Sequence, residues 1–168
     1  MAPGGRPVLP ARRMADPIRI WLETDHQAAF RAGGWAFVLA EGRALSGVAG
    51  GERTASPERI ALASLVEALK GVPAGFAVEL ESATRAVLMV PRRLAAVEDP
   101  PTEDLELWAQ LSTALKGRSV RFAPAASVAK TPTAFAAAWA ELARDKAKRA
   151  AFHAPIPKVN LAKAGVPA

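Results

Sequence analysis

Pro17-Ile18-Arg19-Ile20-Trp21-Leu22-Glu23-Thr24-Asp25-His26, followed after a short turn by Gly33-Gly34-Trp35-Ala36-Phe37-Val38-Leu39-Ala40, is the stretch whose reading decides the fold. Ile18, Ile20 and Leu22 alternate with Arg19, Trp21 and Glu23, which is the period of two of a strand with two different faces. The second half is a continuous apolar run opened by a double glycine. Together they read as a hairpin. The first strand ends on two carboxylates, Glu23 and Asp25, whose hard oxygens are candidates for metal or acid–base chemistry.

Working outward, Glu41-Gly42 forms a tight turn into a third strand over 43–51, whose glycines suggest an edge or a bulge. Ser56-Pro57-Glu58 then announces a helix, with Ser as N-cap, Pro at the first helical position and an acid in the first turn. That helix is expected to run to Lys70. Phe76 to Glu81 alternates again and predicts a fourth strand, parallel to the first because a helix separates it from the meander. Ser82 is expected to cap a short helix through Val90 that Pro91 ends or kinks. Further helices are predicted from Thr102 to about Lys116 and from Pro132 to about Arg149, with a fifth strand over 118–122 between them. In the last helix Phe135, Trp139 and Leu142 form the apolar ridge. The fold class is α/β: a five-stranded mixed sheet, three antiparallel strands then two parallel, flanked by helices.

A chain of 168 residues suits one domain. The pattern assigns 17–149 to it, with a disordered N-terminal tail at 1–16 and a flexible basic C-terminal tail at 150–168. No apolar run approaches the ~20 residues of a membrane span, and the N-terminal segment lacks the apolar core of a secretory signal. The absence of cysteine excludes disulfides, thiol nucleophiles and cysteine-ligated zinc. A cytoplasmic location is the expectation. The net charge of +6 is unevenly placed, since 17–143 holds 13 basic and 14 acidic residues while the flanks hold 9 and 2. A basic arm of this kind supplies sequence-independent affinity for phosphates, or only solubility.

Three local motifs stand in an informative order. Asp104-Leu105-Glu106-Leu107-Trp108-Ala109-Gln110-Leu111 leads into the strand Val120 to Phe122, Ala140-Glu141-Leu142-Ala143-Arg144 lies on the last helix, and Pro57-Glu58-Arg59-Ile60-Ala61-Leu62 opens the first. From about Ile18 to Arg144 the chain resembles a bacterial type 1 ribonuclease H. The first motif looks like that family's Leu-Trp-x-x-Leu helix, the second like its Asp-Glu-Leu-Ala run, and the third like its Asn-x-Arg-x-Glu-Leu helix start. The resemblance implies a ribonuclease H-like fold and cleavage of the RNA strand of an RNA–DNA hybrid. Two divalent ions, about 4 Å apart and held by four carboxylates, would do this chemistry.

Carried over position by position, the first-strand ligand falls on Glu23, and the other three on Ala61, Ala83 and Ala140. An alanine cannot ligate a hard cation. The resemblance therefore implies a protein that has lost its metal-binding carboxylates, with no metal expected and Glu23 as the one weak candidate ligand. Such a protein would be a non-catalytic module that binds RNA–DNA hybrid or RNA, with Arg31, Arg53, Arg59 and Arg85 as phosphate contacts, or one that binds a protein partner. The rival reading is an active nuclease, using Mg²⁺ or Mn²⁺, in which the displaced carboxylates Asp25, Glu58, Glu81 and Glu141 stand in. A third possibility for Glu23 is a salt bridge to Arg59 or Arg85. His26 lacks metal-ligand spacing, and the four tryptophans read as core.

Overall fold

The computed structural model describes residues 16–167. Residues 1–15 of the expected N-terminal tail lie outside them. The opening stretch forms the hairpin: β1 (Ile18–Gln27) and β2 (Ala32–Glu41) pair antiparallel, with Glu23 opposite Ala36 and Asp25 opposite Gly34. A single turn of 3₁₀ helix, Ala28–Phe30, joins them and closes on Arg31, which holds a left-handed conformation at φ 48°. Gly42, at φ +58°, makes the next reversal, a conformation that a Cβ would strain. β3 (Ala44–Arg53) completes the meander along β2.

Ser56 and Pro57 start α1 (Pro57–Lys70), with the Ser56 hydroxyl accepting from the Arg59 amide at 3.1 Å. The helix covers one face of the sheet and returns the chain to β4 (Ala77–Ser82), which runs parallel to β1 with Ile18 beside Val78. The next helix starts after Thr84 rather than Ser82, and the chain breaks beside Pro91 without ending there, giving α2 (Arg85–Leu88) and α3 (Val90–Ala95) with the break at Met89. α4 (Leu105–Lys116) begins later than Thr102, because Asp104 sits at its N-cap with φ 54° and turns its carboxylate to Arg59 instead of the helix amides. β5 (Ser119–Pro124) lies parallel to β4, and α5 (Pro132–Ala147) follows with Thr131 as its cap.

Two features depart from expectation. The segment after 149 is not a tail. Phe152–Pro155 forms β6 on the free edge of β3, with Ala49 opposite Ala154, and Lys158–Leu161 forms a short α6. The sheet therefore has six strands in the order β5-β4-β1-β2-β3-β6. Ile156, Leu161 and Ala164 are buried beneath this segment, so three apolar side chains too widely spaced to show a period supply its anchorage. The second departure is the buried ridge of α5, which consists of Ala136, Ala140, Ala143 and Ala147, while Leu142 is exposed. The reason is close approach. A Cβ at Gly34 would stand 2.2 Å from the Ala140 carbonyl oxygen, so the helix backbone lies on the strand and only methyl groups fit between them.

These elements enclose two cores. Ile18, Ile20, Leu22, Leu65, Leu80, Trp108 and Leu111 pack under α1 and α4, and Trp21, Ala36, Val38, Ala49 and Ala140 pack under α5. Trp21, Trp35 and Trp108 are buried, and Trp139 packs at the margin of the second core.

Candidate functional site

Glu23 lies at the fork where β1 and β4 separate, on the face of the sheet covered by α5. It is 4% exposed. Its carboxylate accepts from three groups at and just beyond the end of β4: the Ser82 hydroxyl and the Ala83 amide reach Oε2 at 2.8 Å, and the Thr84 hydroxyl reaches Oε1 at 3.3 Å. Thr84 is held in turn, since its amide donates to Ser82 Oγ and its Oγ1 accepts from the Thr24 amide. Burial pushes the Glu23 carboxyl above the ordinary glutamate range, and the hydrogen bonds from Ala83, Ser82 and Thr84 oppose that rise. Neither Arg59 nor Arg85 pairs with it among the described residues, so the salt-bridge expectation is replaced by a hydroxyl and amide cradle. The alternation of Ser82 and Thr84 around Ala83 was the sequence signal for that cradle.

Ala61 and Ala140 are fully buried, the first in the core beneath α1 with Leu22 and Leu80, the second in the seam of α5. Ala83 is exposed and meets Glu23 through its amide. A pair of divalent ions needs several carboxylate oxygens aimed into one space. One carboxylate already taken by three donors, together with three methyl groups, does not fit that requirement. Among the described residues, no group of three or more His, Asp or Glu side chains comes together as a metal-holding set.

The displaced carboxylates go to different partners. Asp25 accepts from Arg144 Nη1 at 2.7 Å, and Glu141 lies 4.0 Å from the same guanidinium. Glu81 faces Arg19 at 3.7 Å. Glu58, exposed at the start of α1, lines an apolar cleft with Met89, Arg92, Arg93 and Trp108. Asp25 and Glu141 are thus brought to one cation, whereas Glu58 and Glu81 belong to separate surroundings. Arg144 itself was not singled out in the sequence. Its place four residues after Ala140, on the same helical face, was the available clue.

Of the candidate phosphate contacts, Arg59 is committed to the protein: its guanidinium bonds Glu52, Asp104 and Glu106, each at 2.9 Å. These acids neutralise it and hold it protonated. Arg31, Arg53 and Arg85 are exposed. His26 stays at the end of β1, with Nε2 2.6 Å from the Ala55 carbonyl.

A three-strand antiparallel meander, a crossover helix, two parallel strands and a long helix, α5, laid on the opposite face define an α/β protein of ribonuclease H architecture. The chain superposes on the crystal structure of LC9-RNase H1, a type 1 RNase H with the type 2 active-site motif, with a TM-score of 0.59 and 14% identity over 89% of this chain and 86% of that one. The chain has the ribonuclease H fold. No protein-family model matches its sequence, and no curated protein matches it. No helix among the described residues is long and apolar enough to cross a membrane.

Proposed function

We propose that this chain is a ribonuclease H-fold module that binds nucleic acid, an RNA–DNA hybrid or RNA, without cutting it. The observation that carries this reading is the state of Glu23. In a metal nuclease the first-strand carboxylate leaves its oxygens to the ions, whereas here Ser82, Ala83 and Thr84 take them. The methyl groups of Ala61, Ala83 and Ala140 offer no replacement. The fold supports nucleic acid as the ligand only by analogy, and the exposed arginines Arg31, Arg53 and Arg85 supply the charge that phosphate binding needs. Under this reading the protein uses no metal cofactor. Mg²⁺ or Mn²⁺ enters only if the displaced carboxylates work as ligands.

The test uses a labelled RNA–DNA hybrid. With Mg²⁺ or Mn²⁺ the hybrid is expected to stay intact while its affinity falls as salt rises. Cleavage that Glu23→Ala or Asp25→Ala abolishes would establish the nuclease instead. No binding of the hybrid or of RNA at low salt would leave a protein partner as the better account of the scaffold.

A further inference from the structure

The β1–β2 turn, the end of β3 and the end of α5 meet at one corner of the molecule, beyond Glu23 along β1. The Ala55 amide donates to the Arg31 carbonyl at 3.1 Å, and Ala32 pairs with Arg53 across the sheet. Arg53 Nη1 donates to the Arg149 carbonyl at 3.4 Å, and Lys148 Nζ lies 4.6 Å from the centre of the Phe30 ring. Phe30, Arg31, Arg53, Lys148 and Arg149 therefore share one surface. The excess positive charge that the sequence assigns to the flanks is thus folded, in part, onto a structured corner.

Folding accounts only weakly for two features of this corner, the Lys148–Phe30 contact lying at the surface. Phe30 is 61% exposed, so its ring contributes little to either core. Arg31 occupies a left-handed position that glycine or asparagine adopts at less cost, so the turn does not call for arginine. None of the ion pairs among the described residues involves Arg31, Arg53 or Arg149, while Lys148 is shared with Asp145 at 3.3 Å.

We propose that this corner binds single-stranded nucleic acid, with an unpaired base stacked on Phe30 and phosphates held by Arg31, Arg53 and Arg149. This rests on the nucleic-acid reading above and names the face and the form recognised. An aromatic ring standing among cations is the arrangement that serves unpaired strands, where each base offers a π face and each phosphate a charge. In a duplex the base faces are covered by their neighbours, so a lone protruding ring finds no partner there. A protein partner fits less well. Stable protein interfaces gather about 800 Å² per side around an apolar centre, and here the neighbours of Phe30 are Ala28, Ala29 and cations.

The experiment measures fluorescence anisotropy of a labelled single-stranded RNA of about 12 nucleotides, and of the matching RNA–DNA hybrid, across a salt series. Phe30→Ala is expected to weaken strand binding about tenfold and hybrid binding less than about twofold. Phe30→Leu, which keeps apolar bulk without a stacking face, should behave as Phe30→Ala. Reversing Arg31, Arg53 and Arg149 together to Glu should weaken strand binding at least about a hundredfold and lower the salt slope by about 2. Reversing Arg43, Lys70 and Lys116 together to Glu, at the β2–β3 turn and the ends of α1 and α4 and so at the opposite end of the sheet, serves as the charge-matched control and should weaken binding far less. Circular dichroism melts of each variant verify the fold. Strand binding undiminished in the corner variants would overturn this assignment and leave the nucleic-acid reading standing. Failure of the wild-type protein to bind strand or hybrid at low salt would overturn both. Binding of polyglutamate as tightly as RNA, and unaffected by Phe30→Ala, would make the corner a site for acidic protein and would also overturn it.

Discussion

Arg144 Nη1 donates to Asp25 Oδ2 at 2.7 Å, so α5 is tied to the end of β1 beside the close contact of Gly34 with the Ala140 carbonyl. The Arg144 side chain is 17% exposed and that of Asp25 33%, which makes the pair only partly screened. Asp145 and Asp25 hold the guanidinium protonated. Arg144→Met is expected to destabilise the protein by about 1–2 kcal/mol, and a double-mutant cycle with Asp25→Asn to give a coupling of about 1 kcal/mol. Urea denaturation of the four proteins measures both. Full additivity would show that the pair contributes nothing to docking α5.

Glu23 predicts a definite pH dependence. Its folded-state carboxyl titrates above the ordinary glutamate value of 4.5 because burial penalises the charged form. The native state therefore holds the proton more tightly than the unfolded chain. The stability this contributes is fully present below the unfolded value near 4.5 and is lost as pH rises through the folded one. Glu23→Gln removes that titration. The stability of the wild-type protein relative to Glu23→Gln should fall as pH rises from about 4.5. Glu23→Ala is a different lesion, for it leaves the Ser82 and Thr84 hydroxyls and the Ala83 amide without their acceptor. It is expected to cost about 2–3 kcal/mol at neutral pH. A relative stability that rises with pH would contradict the assigned direction.

Placing carboxylates at Ala61, Ala83 and Ala140 should not create a metal site. Ala140 and Ala61 have no exposed surface, so an acid at either position enters a packed interior without a partner. Ala140→Asp has the further difficulty of the seam against Gly34. Each substitution alone is expected to cost more than about 2 kcal/mol, whereas exposed Ala83→Asp should cost less than about 1. Chemical denaturation gives these values. Isothermal titration of the triple variant with Mn²⁺ reads binding directly, and tight uptake of two ions would show that the fold offers a metal cleft.

The central hairpin, the crossover and the parallel placement of β4 were legible because each rests on a local signal: alternation at Ile18, Ile20 and Leu22, the Ser56-Pro57-Glu58 cap, and alternation at Val78 and Leu80. The seam of α5 was not. Periodicity rewards large apolar residues and so selected Phe135, Trp139 and Leu142, but the distance between helix and sheet is set by Gly34 and Gly51, which carry no hydrophobic signal. Glu23 was singled out from its strand position, and the structure buries it there. Its partners were misassigned because charge suggested an arginine, while the fold supplied two hydroxyls and an amide. Arg59 was read as a phosphate contact or as the partner of Glu23, and Glu52, Asp104 and Glu106 converge on it only in three dimensions.

The C-terminal segment gives the last prediction. β6 pairs four residues of β3, from Val48 opposite Pro155 to Gly51 opposite Phe152, and the Ile156 amide donates to the Gly47 carbonyl at 2.9 Å. Ile156 and Leu161, each 3% exposed, then fill the second core beside Ala49 and Val38. Leu161→Ala or Ile156→Ala should therefore cost about 2–4 kcal/mol, a core loss rather than the near-zero effect of a change in a tail. Truncation after Arg149 should do more, because it also uncovers the backbone of β3 as an edge open to pairing with another chain. Urea denaturation of the point variants and light scattering of the truncated protein check the two effects. A truncated protein as stable and as monodisperse as the full chain would show that β6 and α6 contribute nothing to the fold.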